Sequence, residues 1–434
     1  MGSLECYGTD PAKRPNIFNG LDIKVVTIIK AILNKDGNAI RGSVRALVKH
    51  IKSSVVDNIW TTLQTTLVQQ IPESSKEKPL TFSRFDSNSE YGLDSWPNGN
   101  TMCLNDFHFI SVLGQGSFGK VVLSQLKDTG EYFAIKALKK RDIIDRKEIE
   151  SVFAEKQILE VFSSVQHPFL INSFTSFQTK DNVCFVLEYA PGGDLMTHIL
   201  EGAFDEHQAM FYAACVMLGL QYLHDNDIIY RDIKLENIML DAHGYAKIAD
   251  FGLSKENIRY DDFTDTFCGT SEFMAPEILN EDSYTRAVDW WGFGVLIFQM
   301  LVGDSPFSGN NDEEMFISII NDEVCYPRFL SLEAISIIRK LLQKNPDKRL
   351  GSSKRGAEDI KVQKFFRDMR WDELLQKKIK PPFRPNLISH RDVRNFDTEF
   401  TYQNPNLNLM KHRCTITPTE QSLFKDFSYM ADWC

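Results

Sequence analysis

Three apolar patterns of helical period open the chain. Val25, Ile28, Ile29, Ile32 and Leu33 share one face, and Ile40, Val44, Leu47, Val48, Ile51 and Val55 share a second. Arg41, Arg45, Lys49 and Lys52 lie off that second face. Trp60, Leu63, Leu67 and Ile71 predict a third helix, which Pro72 ends. Lys35-Asp36-Gly37-Asn38 reads as the turn between the first two. Residues 72–100 are rich in Ser, Glu, Asn and Pro and read as a linker. From Phe107 the texture changes. Short β-rich runs at Phe109–Leu113, Lys120–Gln125 and Tyr132–Ala137, broken by Gly and charged turns, predict a twisted antiparallel sheet. Glu148–Phe162 is helical in pattern, and beyond about residue 195 the chain is mostly helical, with Ala209–His224 and Ala287–Leu301 as strong helices. The expected fold is α+β, a small sheet lobe followed by a larger helical lobe, which suits a ligand held in the cleft between them.

Composition narrows the class. The chain has 434 residues, 43% hydrophobic and 25% charged, the balance of an ordinary soluble protein. No run of eighteen apolar residues occurs, and the start lacks the apolar core of a signal peptide. Gly2 is present, but Cys6 stands where a myristoylation signal needs Ser or Thr. The 8 cysteines show no C-x-x-C spacing, which argues against zinc and against a disulfide framework. The net charge of −10 hides an asymmetry: residues 13–52 carry about +7 and the rest about −17. Those basic faces suit anionic lipid or an acidic partner, although a solvated face on a small helical module explains them as well. No nucleic-acid partner is expected.

The motifs that carry chemistry lie in the second region. Leu113-Gly114-Gln115-Gly116-Ser117-Phe118-Gly119-Lys120-Val121 is a G-x-G-x-x-G-x-V loop, whose glycines let backbone N–H groups close over phosphates. A dinucleotide-binding turn reads almost the same, but runs from strand to helix. Here strand-like residues flank the loop on both sides, which makes it a hairpin. Phe133-Ala134-Ile135-Lys136 follows at the spacing of a third strand, and Glu155 is the candidate anionic partner that fixes Lys136. Leu187-Glu188-Tyr189-Ala190 reads as a hinge between lobes. Tyr230-Arg231-Asp232-Ile233-Lys234-Leu235-Glu236-Asn237, followed by Asp250-Phe251-Gly252, has the layout of a loop that moves a phosphoryl group from ATP to a hydroxyl. Asp232 is the candidate proton acceptor, and Lys234 the neutraliser of the γ-phosphoryl. Asn237 and Asp250 are the Mg²⁺ ligands, supplying the oxygen that a hard cation takes. Lys234 two residues after the base, with Gly269-Thr270 ahead of Ala275-Pro276-Glu277, favours Ser or Thr over Tyr as acceptor.

The segment from about Phe107 to Phe366 resembles a eukaryotic protein kinase. Tyr230-Arg231-Asp232, Phe267-Cys268-Gly269-Thr270 and Asp289-Trp290-Trp291-Gly292 place the resemblance in the group of protein kinases A, B and C. Three further stretches make it most similar to the protein kinase N family: His167-Pro168-Phe169-Leu170, Phe211–His224 and Asp432-Trp433-Cys434. The match covers roughly residues 104–434 and implies a bilobal fold whose C-terminal tail wraps the small lobe. Its divisions would be 1–71 helical and basic, 72–104 linker, 105–366 kinase domain and 367–434 regulatory tail.

The resemblance implies residue roles. Leu113, Val121 and Ala134 would pack on adenine, joined by Phe396 from the tail. Glu188 and Ala190 would bond its edge through their backbone. Thr266 would be the activation-loop phosphosite, pairing with Arg231, and Glu277 would pair with Arg349. Thr417 resembles a turn-motif phosphosite. Phe424 and Phe427 resemble a hydrophobic motif that docks in the small lobe and would also recruit an upstream phosphoinositide-dependent kinase. Ser428 stands there in place of the family's usual acid, as a phosphosite. Asp194 and Glu236 would receive basic residues of protein substrates, with Gln299 where basophilic relatives have Glu. Ser173 stands where a large apolar residue normally joins Leu159, Tyr230 and Phe251 between the lobes, which predicts a hole or a water and a reduced activity. Ser271 replaces the Pro after Gly269-Thr270. The Rho-binding repeats and C2-like domain of the family are not apparent, so Rho and lipid regulation are open. The implied location is cytoplasmic, with peripheral membrane association as the alternative. A catalytically silent scaffold is the competing function.

Overall fold

The small lobe is built on one twisted antiparallel sheet. The computed structural model describes residues 102–116, 119–280, 282–407 and 416–430. The three N-terminal helices, the linker up to residue 101, Ser117, Phe118 and the chain end at Asp432-Trp433-Cys434 lie outside the described residues. Strands β1 (Phe107–Gln115), β2 (Gly119–Leu126), β3 (Tyr132–Lys139), β4 (Ser173–Gln178), β5 (Asn182–Glu188) and β8 (Tyr429–Met430) form a sheet of order β1-β2-β3-β5-β4-β8. Two strands of the large lobe, β6 (Ile238–Leu240) and β7 (Ala246–Ile248), pair separately. The glycine loop is therefore a hairpin tip, with Gln115 opposite Lys120 as its last pair. Register then lines up the site. Gly114 faces Val121, Val121 faces Lys136, and Lys136 faces Phe185. Ala134 and Lys136 are two apart on β3, so they share one face.

Helix α1 (Ile149–Ser163) packs beside the sheet. Its buried residues Val152, Glu155, Ile158, Leu159 and Phe162 recur at helical spacing. That periodicity turns Glu155 inward with the apolar positions. Helix α2 (Glu206–Asp225) starts at Asp205, whose carboxylate accepts the N–H of Gln208 at 2.8 Å, while the Gln208 side chain accepts the N–H of Asp205 at 3.2 Å. Helix α3 (Ala287–Val302) is buried on every side from Ala287 to Leu301 and forms the axis of the large lobe. It stops at Gly303, whose φ of 81° suits a glycine, and whose N–H donates to Gln299 O at 2.8 Å. No described helix is long and apolar enough to cross a membrane.

The tail returns to the small lobe. Asn395 Nδ2 donates to Pro191 O at 2.9 Å, and Tyr189 Oη donates to Asp392 O at 2.6 Å, beside the hinge. Farther on, Phe424 and Phe427 are fully buried. Phe427 meets Phe153 and Phe185 edge-on, at 5.6 and 5.3 Å between ring centroids. β8 then pairs with β4, Thr175 opposite Met430 and Ser176 opposite Tyr429. Lys140, also buried, binds three neutral oxygens, those of Gln178, Thr179 O and Gln421, and lies 5.0 Å from the Phe424 ring. The ammonium thus joins strand and tail.

Candidate active site

Lys136 lies between two carboxylates. Its Nζ is 2.6 Å from Glu155 Oε1 and 2.9 Å from Asp250 Oδ1. Burial alone favours a neutral amine; Asp250 and Glu155 together outweigh it and hold the Lys136 pKa above its ordinary value. The Lys136 ammonium is the main reason that Asp250 is held below its usual carboxylate range. Burial pushes Glu155 up, and the contact with Lys136 opposes that push. The expected partner of Lys136 is therefore in place, with a second carboxylate supplied from 114 residues away.

Asp232 is buried and ringed by donors. Lys234 Nζ donates to Oδ2 at 2.7 Å, Asn237 Nδ2 donates to the same oxygen at 2.8 Å, and Thr270 Oγ1 donates to Oδ1 at 2.8 Å. Lys234 also donates to Thr270 Oγ1 at 3.0 Å. Thr270 therefore touches both groups assigned to phosphoryl transfer, a contact that sequence reasoning did not identify. The Asn237 amide nitrogen is used on Asp232, which leaves its oxygen as the potential cation ligand. The carboxylate of Asp250 is 55% exposed, which leaves it open to the cleft.

The loop carrying Asp232 is held in a costly conformation. Arg231 has φ of 68° and Asp250 φ of 57°, left-handed values for residues with side chains. The buried Asp289 at the start of α3 fixes the first of these. It accepts the N–H of Tyr230 at 2.9 Å, that of Arg231 at 2.7 Å, and a contact from His224 Nε2 at 2.7 Å. Asp289 was legible only as part of a family motif, since its partners are 58 and 59 residues away.

Several residues expected around the base lie in one cluster. Leu113, Val121, Ala134, Tyr189 and Phe396 share one apolar cluster, and Phe396 stacks on Tyr189 with centroids 6.0 Å apart. Gly119 is required by packing, since a Cβ there would lie 1.8 Å from Ala137 O. Gly114 and Gly116 face open space, as a loop that must approach a ligand closely would. At the hinge, Glu188 accepts from Lys247 Nζ at 2.8 Å and from Asn172 Nδ2 at 3.1 Å, and Ala190 is buried. The buried Lys247, whose pKa is lowered by burial, was not anticipated.

The predicted regulatory positions are distributed. Thr266, Thr417 and Ser428 are all exposed. Arg231 Nη1 donates to Tyr284 Oη at 3.0 Å, and that hydroxyl donates to Thr266 O at 2.7 Å. Lys255 donates to Thr264 Oγ1 at 2.8 Å, two residues before Thr266. The side chain of Thr417 caps the helix Pro418–Ser422 by accepting the N–H of Glu420 at 3.2 Å. Glu277 and Arg349 form the expected buried pair, bidentate at 2.6 and 2.8 Å. Glu236 is exposed, Asp194 accepts the N–H of Thr197 at 2.7 Å, and Gln299 is buried with its Oε1 unpaired. The Ser271 hydroxyl has no contact that explains its choice over proline.

Residues 107–366 match the protein kinase domain family, and residues 387–429 match the protein kinase C terminal domain family. Serine/threonine-protein kinase N2 of Danio rerio is 50% identical over 433 residues, 98% of this chain and 42% of that protein. That match runs into the first hundred residues, where the sequence alone suggested no family. Serine/threonine-protein kinase N3 of Mus musculus is 52% identical over 76% of this chain and 38% of its own length. Protein kinase C-like 2 of Schizosaccharomyces pombe is 48% identical over 76% of this chain and 32% of its own length. The chain thus spans less than half the length of these relatives. With both family matches laid over the paired lysines, the fixed catalytic loop and the docked tail, the chain belongs to the protein kinase family, in the group that carries a protein kinase C terminal domain.

Proposed function

We propose that this chain is a serine/threonine protein kinase that transfers the γ-phosphoryl group of ATP to hydroxyls of protein substrates. The observation that carries the reading is the pair of facing clusters: Lys136 between Glu155 and Asp250, and Asp232 held by Lys234, Asn237 and Thr270. ATP with magnesium supplies, when bound, the phosphoryl group and the charge that balances it. Lys136, positioned by Glu155, holds the α/β-phosphates. Asp250 and Asn237 offer oxygen to the metal, which suits an ion that takes few protein ligands beside phosphates. Leu113, Val121, Ala134 and Phe396 enclose the base. Asp232 orients the acceptor hydroxyl and takes its proton, while Lys234 neutralises the transferring group. Thr270 ties Asp232 to Lys234, which supports Ser or Thr as acceptor.

Phosphate on Thr266 would add about −2 of charge near Arg231 and Lys255 and order the activation loop. Asp194 and Glu236 support a preference for basic residues around the acceptor. An upstream kinase that used Phe424 and Phe427 would compete with their docking in this chain's own small lobe, since both are buried there. The test is phosphotransfer from Mg-ATP to a randomised Ser/Thr/Tyr peptide library. Turnover on Ser or Thr that disappears in Asp232→Asn is expected. Nucleotide binding without turnover by Thr266-phosphorylated protein would replace this reading with that of a scaffold.

A further inference from the structure

The segment that runs from Asp250 to Thr266 is tied to the catalytic loop by neutral groups at both ends. At the near end, Arg231 Nε donates to Leu253 O at 2.7 Å, and Lys255 and Ile229 exchange two backbone hydrogen bonds, both at 2.9 Å. At the far end the tie is Tyr284, which is buried just ahead of α3. Tyr284 and Thr264 exchange two backbone hydrogen bonds, at 2.8 and 2.9 Å. The Tyr284 hydroxyl accepts from Arg231 Nη1 at 3.0 Å and donates to Thr266 O at 2.7 Å. One arginine therefore reaches Leu253 directly and Thr266 through Tyr284. Lys255 Nζ donates to the Thr264 hydroxyl at 2.8 Å. Among the described residues neither Arg231 nor Lys255 pairs with a carboxylate; their charged ends meet neutral oxygens. Thr266 enters this arrangement through its backbone carbonyl, while the residue itself is exposed.

We propose that Tyr284 is a positioning residue whose hydroxyl couples Arg231 to the Thr266 backbone, and so holds the activation segment against the catalytic loop before Thr266 carries phosphate. A phenol hydroxyl has one proton to donate and can accept through its oxygen. Both capacities are used here, by partners 18 and 53 residues away. Burial pushes the Tyr284 pKa up, so the donated proton stays in place at neutral pH. The other end of the tie is firm as well, because Asp289 accepts the N–H of Arg231 and fixes its left-handed turn beside Asp232. A phosphate on Thr266 would offer Arg231 and Lys255 charged acceptors, which bind more strongly than a neutral hydroxyl and would make the Tyr284 tie redundant. Tyr284 and the phosphate thus hold the same segment in two states of the protein. This inference deepens the phosphotransfer reading above and rests on it, and its test separates the two.

The full chain is compared in four forms: Thr266→Ala, Thr266→Ala/Tyr284→Phe, and the unmutated and Tyr284→Phe chains phosphorylated at Thr266, with occupancy checked by mass spectrometry. For each, kcat, KM for ATP, Tm and the rate of proteolytic cleavage within residues 253–266 are measured. Thr266→Ala is expected to keep measurable turnover. Tyr284→Phe keeps the ring and removes only the hydroxyl. In the Thr266→Ala chain it is expected to lower kcat about tenfold and to speed cleavage by a similar factor, since a hydrogen bond to a charged group is lost. In the phosphorylated chain it is expected to change neither by more than about twofold, a non-additivity that a merely structural hydroxyl would not produce. The proposal is overturned by an equal loss in both forms, by a loss under about twofold in the Thr266→Ala chain, or by a Thr266→Ala chain that is silent while the phosphorylated chain turns over. Should Tyr284→Phe not fold, hydrogen exchange at the Thr264 amide of the Thr266→Ala chain decides instead, and exchange as fast as in an open loop overturns the tie. A phosphorylated chain that binds Mg-ATP without turnover sinks the kinase reading alone, and the cleavage rates still decide the role of Tyr284.

Discussion

Two buried ion pairs in this molecule have opposite designs. Arg349 and Glu277 in the large lobe are matched one to one, and Arg349 uses its remaining donors on Gln343 O, Ala287 O and Lys344 O. Lys136 in the cleft faces two carboxylates, one of them open to solvent. The first cluster is closed and neutral, and so holds structure. The second carries an excess negative charge and a carboxylate open to the cleft, which the proposed function uses. Unequal pairing therefore marks the site, whereas burial alone does not.

Charge removal separates the two designs most sharply. Asp250→Asn is expected to reduce phosphotransfer at least ~1000-fold, about 4 kcal/mol of barrier, with Tm nearly unchanged. A peptide kinase assay beside a melting curve checks it, and a large fall in Tm would make Asp250 structural. Arg349→Met is expected to do the reverse. It strands Glu277 in the core at a cost of about 3–5 kcal/mol, read as lost stability, while Arg349→Met/Glu277→Leu should recover most of it. No such double substitution at Lys136 and Glu155 should recover activity.

A further prediction concerns pH. Burial, reinforced by Lys247 and Lys377, pushes the His167 pKa down to about 4. Its Nδ1 accepts the N–H of Phe169 at 3.3 Å, as a neutral ring does. The unfolded chain therefore binds more protons than the folded one between about pH 4 and 6.5, so stability rises with pH across that window. The contribution is full above pH 6.5 and falls by roughly 3 kcal/mol on descending to pH 4. His167→Gln should flatten that part of the denaturation profile, and an unchanged slope would assign it to carboxylates. The smallest effect expected is at the tail. Thr417→Ala removes a helix cap worth about 1 kcal/mol and should loosen residues 416–430, read as faster proteolysis there.

Much of the site was legible because catalytic motifs are compact. Lys136, Glu155, Asp232, Lys234, Asn237 and Asp250 were each named from spacing, and the structure brings them into two clusters. The contacts that escaped are those between residues whose individual signals are bland. Thr270 reads as one more loop threonine until its hydroxyl is seen on Asp232, 38 residues away. Lys247 looks like a strand lysine until its bond to Glu188 ties down the hinge. Phe162 fits the apolar period of its helix, which says that it is buried but not against what.

By itself, then, the sequence determined the two-lobed α+β plan, the hairpin glycine loop and the identity of the charged groups. These depend on local periodicity, turn chemistry and short spacings, all readable along a line. The tertiary structure alone decided the partner of each group. It set Lys136 between two carboxylates, fixed the strained Arg231 turn with Asp289, buried Phe424 and Phe427 in the chain's own small lobe, and set the Phe162 ring against Phe251. Such choices depend on packing between segments tens to hundreds of residues apart, where volume and charge must balance in three dimensions.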